Sequence, residues 1–143
     1  MKTLRVIGRR EFLKLPELSN LFIEAKVDTG AYRSCIHVES CREITDNGRK
    51  VLEAVFAVDD SGPQKHIFEN YRELLVRNSF GDSEMRFCVR TVLQLGNKKI
   101  RSEVSLANRS GMRYQVLIGR KTIQNKFLVD VGKKYVLSRT RRD

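Results

Sequence analysis

Residues 25 to 31 read Ala25-Lys26-Val27-Asp28-Thr29-Gly30-Ala31, a hydrophobic approach ending in an acid, a small hydroxyl residue and a glycine. This order presents one carboxylate at the tip of a tight loop, because Asp and Thr hydrogen-bond nearby backbone and Gly relaxes φ. The same chemistry also makes ordinary turns. A specified triplet arises by chance in roughly 3 of 100 chains of this size. Asp28 therefore needs support from elsewhere in the chain.

Outward from that stretch, alternation with a period of two dominates. Between Met85 and Leu95, Phe87, Val89, Leu93 and Leu95 share one face, and Arg86, Cys88, Arg90 and Gln94 the other. After Gly96-Asn97, Ile100, Val104 and Leu106 alternate with Lys99, Arg101, Glu103 and Ser105, so the two runs form a long hairpin. A second hairpin joins residues 41–45 to 50–58 around Asp46-Asn47-Gly48. Shorter strands are expected over residues 4–8, 22–27, 35–38, 71–77, 115–118, 127–131 and 135–138. A short helix is expected over Arg120 to Gln124, and a helical turn or two between Arg10 and Pro16. Many closely spaced strands with little helix predict an all-β sandwich or barrel.

The chain has 143 residues, 41% of them hydrophobic, which suits one domain over 1–143 with its own core. No apolar run is long enough for a secretory signal or a membrane span, so a cytoplasmic location with no membrane attachment is expected. Three cysteines, Cys35, Cys41 and Cys88, show no paired short spacing. Neither a disulfide framework nor a zinc ribbon is indicated, and free thiols are expected. There is no His-Glu-x-x-His and no phosphate-cradling loop; no metal and no cofactor are expected. The 28 Lys and Arg against 17 Asp and Glu give a net charge of +11, which favours an acidic partner. Nucleic acid is compatible with that charge, but no motif indicates it.

Near the C-terminus a second hydrophobic strand also ends in glycine: Val116-Leu117-Ile118-Gly119-Arg120. One strand ending Asp-Thr-Gly and another ending hydrophobic-hydrophobic-Gly-Arg, with hairpins between, resemble the lobe of retroviral and pepsin-like aspartic proteases. A closer resemblance is to a bacterial family of small retropepsin-like proteins, labelled ATP-dependent zinc proteases and associated with RimK-type glutamate ligases. The matching stretches are Gly8-Arg9-Arg10-Glu11 with Leu15-Pro16, Ala25 to Ala31, Ser34 to His37, Asn108 to Tyr114, Leu117 to Arg120 and Lys126 to Asp130. The resemblance implies a closed or partly open β-barrel of the single-lobe acid protease type, with one short C-terminal helix.

It also implies site roles. Asp28 is the catalytic carboxylate. Thr29 braces the loop across an interface, Gly30 and Ala31 leave room for a substrate backbone, and Gly119 supports the loop from behind. Arg120 ties the helix start to the core or dimer. In retroviral enzymes the position of Tyr32 is commonly acidic and pairs with the arginine matching Arg120; with Tyr32-Arg33 here, Arg120 is expected to find Glu39 or a chain-terminal carboxylate. Tyr32, Arg33 and His37 are candidate pocket residues, His37 more simply a structural side chain. Cys35 and His37 alternate on one strand without an oxyanion site, so Cys35 reads as a buried thiol. The turns at Asp46-Asn47-Gly48 and Phe80-Gly81-Asp82 are both candidates for a cover over the cleft.

Aspartic hydrolysis needs two carboxylates sharing a proton around a water. With a single Asp-Thr-Gly, the resemblance implies a homodimer that brings two copies of Asp28 together. The expected substrate is a peptide, or an acidic or glutamylated protein. The rival expectation is an inactive acid-protease-fold binding module whose basic surface holds RNA, a ribosome or an acidic protein partner.

Overall fold

In the computed structural model, residues 3–58, 60–77 and 80–137 are described. Among these described residues eleven strands and one short helix follow in order: β1 (Arg5–Ile7), β2 (Arg10–Lys14), β3 (Phe22–Val27), β4 (Ser34–Asp46), β5 (Arg49–Phe56) and β6 (Gln64–Phe68). Then come β7 (Arg72–Arg77), β8 (Ser83–Leu95), β9 (Lys98–Ala107), β10 (Val116–Ile118), α1 (Arg120–Ile123) and β11 (Phe127–Val129).

Turn chemistry sets the two long hairpins. Asn47 and Gly48 both take positive φ, 52° and 78°, the mirror-image turn whose twist matches antiparallel strands. Gly96 alone is positive between β8 and β9, at 62°, the geometry that wants glycine first in a two-residue turn. Leu95 and Lys98 then pair directly.

The strand path β10-β3-β2-β8-β9-β4 closes on itself, because β10 pairs parallel with β3 and antiparallel with β4. The result is a closed six-stranded barrel with one short helix, the all-β architecture expected of the sequence. Its interior holds alternate residues from every strand, Leu13, Ile23, Ala25, Ile36, Leu93, Val104 and Ile118 among them. Beyond the barrel, β5 and β6 extend β4 into a three-stranded wing, while β7 pairs with β8 as an arm. Separately, β1 and β11 pair in parallel.

Several local expectations are corrected. Arg10 to Lys14 is a strand rather than a helical turn: register with β3 from Arg10↔Lys26 to Lys14↔Phe22 outweighs the helix-forming character of Arg-Glu-Phe-Leu-Lys. The pieces expected at 35–38 and 41–45 are one 13-residue strand with a register shift between Val38 and Ser40. A polar edge strand, β6, was not expected at all. No strand forms over 135–137, and residue 138 lies outside the described residues. Instead Tyr135 takes φ +56°, its ring stacks on Phe12, and its hydroxyl donates to Glu24.

The segment after β11 is held by a buried acid. Glu11, fully buried in β2, accepts hydrogen bonds from the backbone N–H groups of Gly8 (2.8 Å), Val136 (2.9 Å) and Leu137 (3.1 Å). A buried carboxylate is tolerated when such donors replace its water.

Candidate active site

β3 delivers Asp28 to the mouth of the barrel. Val27 is still buried, Asp28 is half-buried and Thr29 exposed, so the carboxylate leaves the core where the strand ends. The Asp28 N–H donates to Ile118 O (2.9 Å), which fastens the loop to β10. The loop turns on itself through Ala31 N to Asp28 O (3.1 Å), and the Gly30 N–H donates to Asp28 Oδ1 (3.1 Å). One carboxylate oxygen is thereby aimed by the backbone.

Behind the loop, Gly119 is packed so closely that a Cβ there would lie 2.4 Å from the Arg33 carbonyl carbon and 2.5 Å from its oxygen. Only glycine fits. Its N–H donates to Ser34 Oγ (3.0 Å), and that hydroxyl also meets Thr122 Oγ1 at 2.6 Å. The first helical N–H groups finish the clamp: Arg120 N donates to Ala31 O and Lys121 N to Tyr32 O, both at 2.9 Å. These donors have no partner inside the helix, so the loop carbonyls satisfy them.

Arg120 does not take the expected acid. Its Nη1 donates to Thr29 O (3.1 Å), and its guanidinium lies over the Tyr32 ring beside Arg33 and Lys121. Glu39 instead lies 3.7 Å from His37 Nε2, and the chain end lies outside the described residues. An acid on β9 pairs with the cations beside Arg120 rather than with Arg120 itself. Glu103 receives Arg33 Nε (2.9 Å) and a two-point contact from Arg72 (2.7 and 2.8 Å), with Lys121 at 3.8 Å. Arg72, foremost, and Arg33 hold the Glu103 carboxyl at about 2, well below the ordinary carboxylate range. Period-two alternation put Glu103 on a polar face, but not under β7 and the Asp28 loop.

Asp28 opens onto a cleft of about 900 Å³ floored by Leu117, Cys35 and Ser105, which are neighbours across β10, β4 and β9. Gly30, Ala31, Tyr32 and Arg33 line it. Seven arginines (Arg9, Arg10, Arg33, Arg77, Arg86, Arg109, Arg113) and Lys26 also line it, and Asp28 is the only acid among the described lining residues. Leu75, Val76 and Arg77 of β7 form one wall, so of the two candidate covers only the arm leading to Phe80-Gly81-Asp82 borders the cleft. Cys35 is buried there, with Arg86 Nη1 3.7 Å from its sulfur.

His37 is not part of this cleft. It is 2% exposed, and its Nδ1 accepts the Arg109 N–H at 2.7 Å, so it anchors the 108–114 loop from inside. Burial pushes the Cys41 thiol up to about 11 and raises Cys88 as well, leaving both poor nucleophiles. Among the described residues no group of three or more His, Cys, Asp and Glu converges on a metal position, and no helix is long and apolar enough to cross a membrane.

Residues 6–140 match the family model described as "Retropepsin-like aspartic endopeptidase RimB", RimB-like. The chain belongs to the RimB-like family. Its curated relatives include proteins named "Probable alpha-L-glutamate ligase" from Shewanella pealeana, 31% identical over 92% of this chain, and Desulfotalea psychrophila, 28% identical over 96%. This RimB-like chain spans 30% and 33% of the length of those two proteins. The crystal structure of a Legionella pneumophila protein of unknown function is similar, with a TM-score of 0.77 and 25% identity over 94% of this chain and 99% of that one. The RimB-like family description matches the retropepsin-like fold expected from the paired Asp28 and Gly119 strands.

Proposed function

We propose that this chain is an aspartic hydrolase that acts as a homodimer and cleaves an amide bond in an acidic, glutamate-rich substrate. The observation that carries this reading is a cleft in which, among the described residues, one acid, Asp28, stands against eight cationic lining residues. One half-buried carboxylate, aimed by the Gly30 N–H, suits the general-base half of an aspartic dyad. The other half requires a second carboxylate close enough to share a proton, and a second copy of Asp28 on a two-fold axis supplies it.

In the dyad one Asp28 draws a proton from the bound water while its twin, protonated, donates to the carbonyl oxygen of the scissile bond. The Thr29 hydroxyls brace the paired loops across the axis. The β7–β8 arm closes over the substrate and excludes water. The cationic lining attracts and orients an acidic chain before any chemistry begins. The family description names an aspartic endopeptidase, which accords with hydrolysis, and the curated relatives are named as glutamate ligases, which accords with a glutamyl substrate.

The test compares the full chain with its Asp28→Asn variant on glutamate-extended peptides from acidic to neutral pH, followed by mass spectrometry. Shortened peptides with the parent chain only support the reading; equal turnover by both proteins overturns it. Sedimentation should show a dimer. A second reading, a binding module without hydrolysis, draws on the same cationic lining. It predicts a monomer that holds polyanions with steep salt dependence and no turnover sensitive to Asp28.

A further inference from the structure

The stretch from Asn108 to Tyr114 has no part in the dyad, yet it is carefully built. The Asn108 side-chain oxygen accepts from Ser110 N (3.0 Å) and Ser110 Oγ (2.7 Å), and Met112 N closes a turn onto Arg109 O (2.8 Å). His37 receives the Arg109 N–H from below, and Arg109 Nε donates to Tyr114 O (3.0 Å). Asn108, Ser110, Gly111, Met112 and Arg113 are exposed, whereas Arg109 is folded inward and only 9% exposed.

A guanidinium so far withdrawn from water ordinarily has an acid beside it, because an unpaired buried charge is costly. Among the described residues no acid pairs with Arg109, and its one side-chain bond uses Nε. Neither Nη atom is both buried and unpartnered. Arg109 lines the cleft of Asp28, and among the described residues its terminal nitrogens have no protein partner.

We infer that Arg109 is the residue that reads a substrate carboxylate in the Asp28 cleft, receiving it as a two-point pair on the outer edge of its guanidinium. Two parallel N–H groups match the two oxygens of a carboxylate, a fit a lysine cannot reproduce. The fixed Nε and backbone N–H hold the fork in place before the ligand arrives, so little order is lost on binding. His37 and Tyr114 are positioning residues for that fork. This inference rests on the acidic substrate proposed above, but it concerns recognition rather than hydrolysis.

The experiment uses the full chain carrying Asp28→Asn, so that bound peptide is not consumed, and reads fluorescence anisotropy of labelled hexaglutamate and hexaglutamine. Hexaglutamate should bind more tightly. Adding Arg109→Gln should weaken hexaglutamate about tenfold or more and leave hexaglutamine unchanged. Arg109→Lys should recover only part of the loss, since charge returns without the fork. Lys99→Gln, the same charge change at an exposed site on β9, should alter hexaglutamate binding less than about twofold. Equal losses from Arg109→Gln and Lys99→Gln would overturn the inference, as would equal affinity for the two peptides.

A C-terminally amidated hexaglutamate separates the two sources of carboxylate. Loss on amidation assigns the terminal group, and retention assigns a side chain; both support the inference. Protection of Arg109 from phenylglyoxal by hexaglutamate, read by peptide mass in the chain with Arg109 intact, keeps the test independent of folding of the Arg109 variants. Absence of protection would overturn it. Should Asp28→Asn turn over peptide as fast as the unsubstituted chain while Arg109 still discriminates, the hydrolase reading falls and the carboxylate site stands. The converse result removes the site and spares the hydrolase.

Discussion

Glu103 and Arg109 lie six residues apart, on β9 and on the loop that follows it, and are almost equally withdrawn from water at 7% and 9% exposed. One is surrounded by Arg33, Arg72 and Lys121; the other has no acid paired with it among the described residues. The barrel therefore satisfies a buried charge where that charge is structural. Glu11 repeats the pattern with three backbone donors in place of cations. Arg109, which lines the Asp28 cleft, has no acid paired with it among the described residues, unlike Arg33 and Arg86 of the same lining, which pair with Glu103 and Glu84.

The largest effect expected is on the cleft side. Asp28→Asn should lower turnover of a glutamyl peptide on the order of 10³-fold or more while leaving the melting temperature nearly unchanged. A melting point that fell with the turnover would place Asp28 with the structural charges instead. Next comes Glu11→Ala, which orphans the N–H groups of Gly8, Val136 and Leu137 and should cost about 3 kcal/mol in urea unfolding at neutral pH.

Glu103→Gln should cost roughly 2 kcal/mol, discounted for the solvent-exposed Arg72. The Glu103 carboxyl is held at about 2 against an ordinary 4.5, so its stabilisation is complete above the higher value and fades as pH falls through the lower. The gap between parent and variant should persist at pH 4 and close near pH 2 in urea titrations across that range. The smallest effect on stability should come from Arg109→Gln, under about 1 kcal/mol, because a neutral side chain relieves an uncompensated charge. A loss as large as that from Glu103→Gln would erase the contrast between the two residues.

Asp28 and Gly119 were legible because each announces itself locally: a strand that ends in Asp-Thr-Gly, and one that ends in glycine before a helix. The β8–β9 hairpin was legible for the same reason, since alternation and a Gly-Asn turn are neighbouring features. Glu103 was not, because alternation assigns a residue to a face and is silent about what covers that face. Its partners come from residues 33 and 72, which only tertiary packing brings together. Arg10 to Lys14 failed differently, since helix-forming side chains were overridden by pairing with a strand eight residues further on. Arg109 stood in a recognised motif, but its burial without an acid is visible only in three dimensions.

The Glu11 network also bears on when this chain can finish folding during synthesis. Its acceptor emerges early, yet two of its donors, Val136 and Leu137, follow 125 and 126 residues later. At ribosomal rates of roughly 5–20 residues per second that interval is on the order of 6–25 s. Throughout it the carboxylate lacks two of its three backbone donors, so β2 cannot bury Glu11 with all of them until residues 136 and 137 have left the exit tunnel.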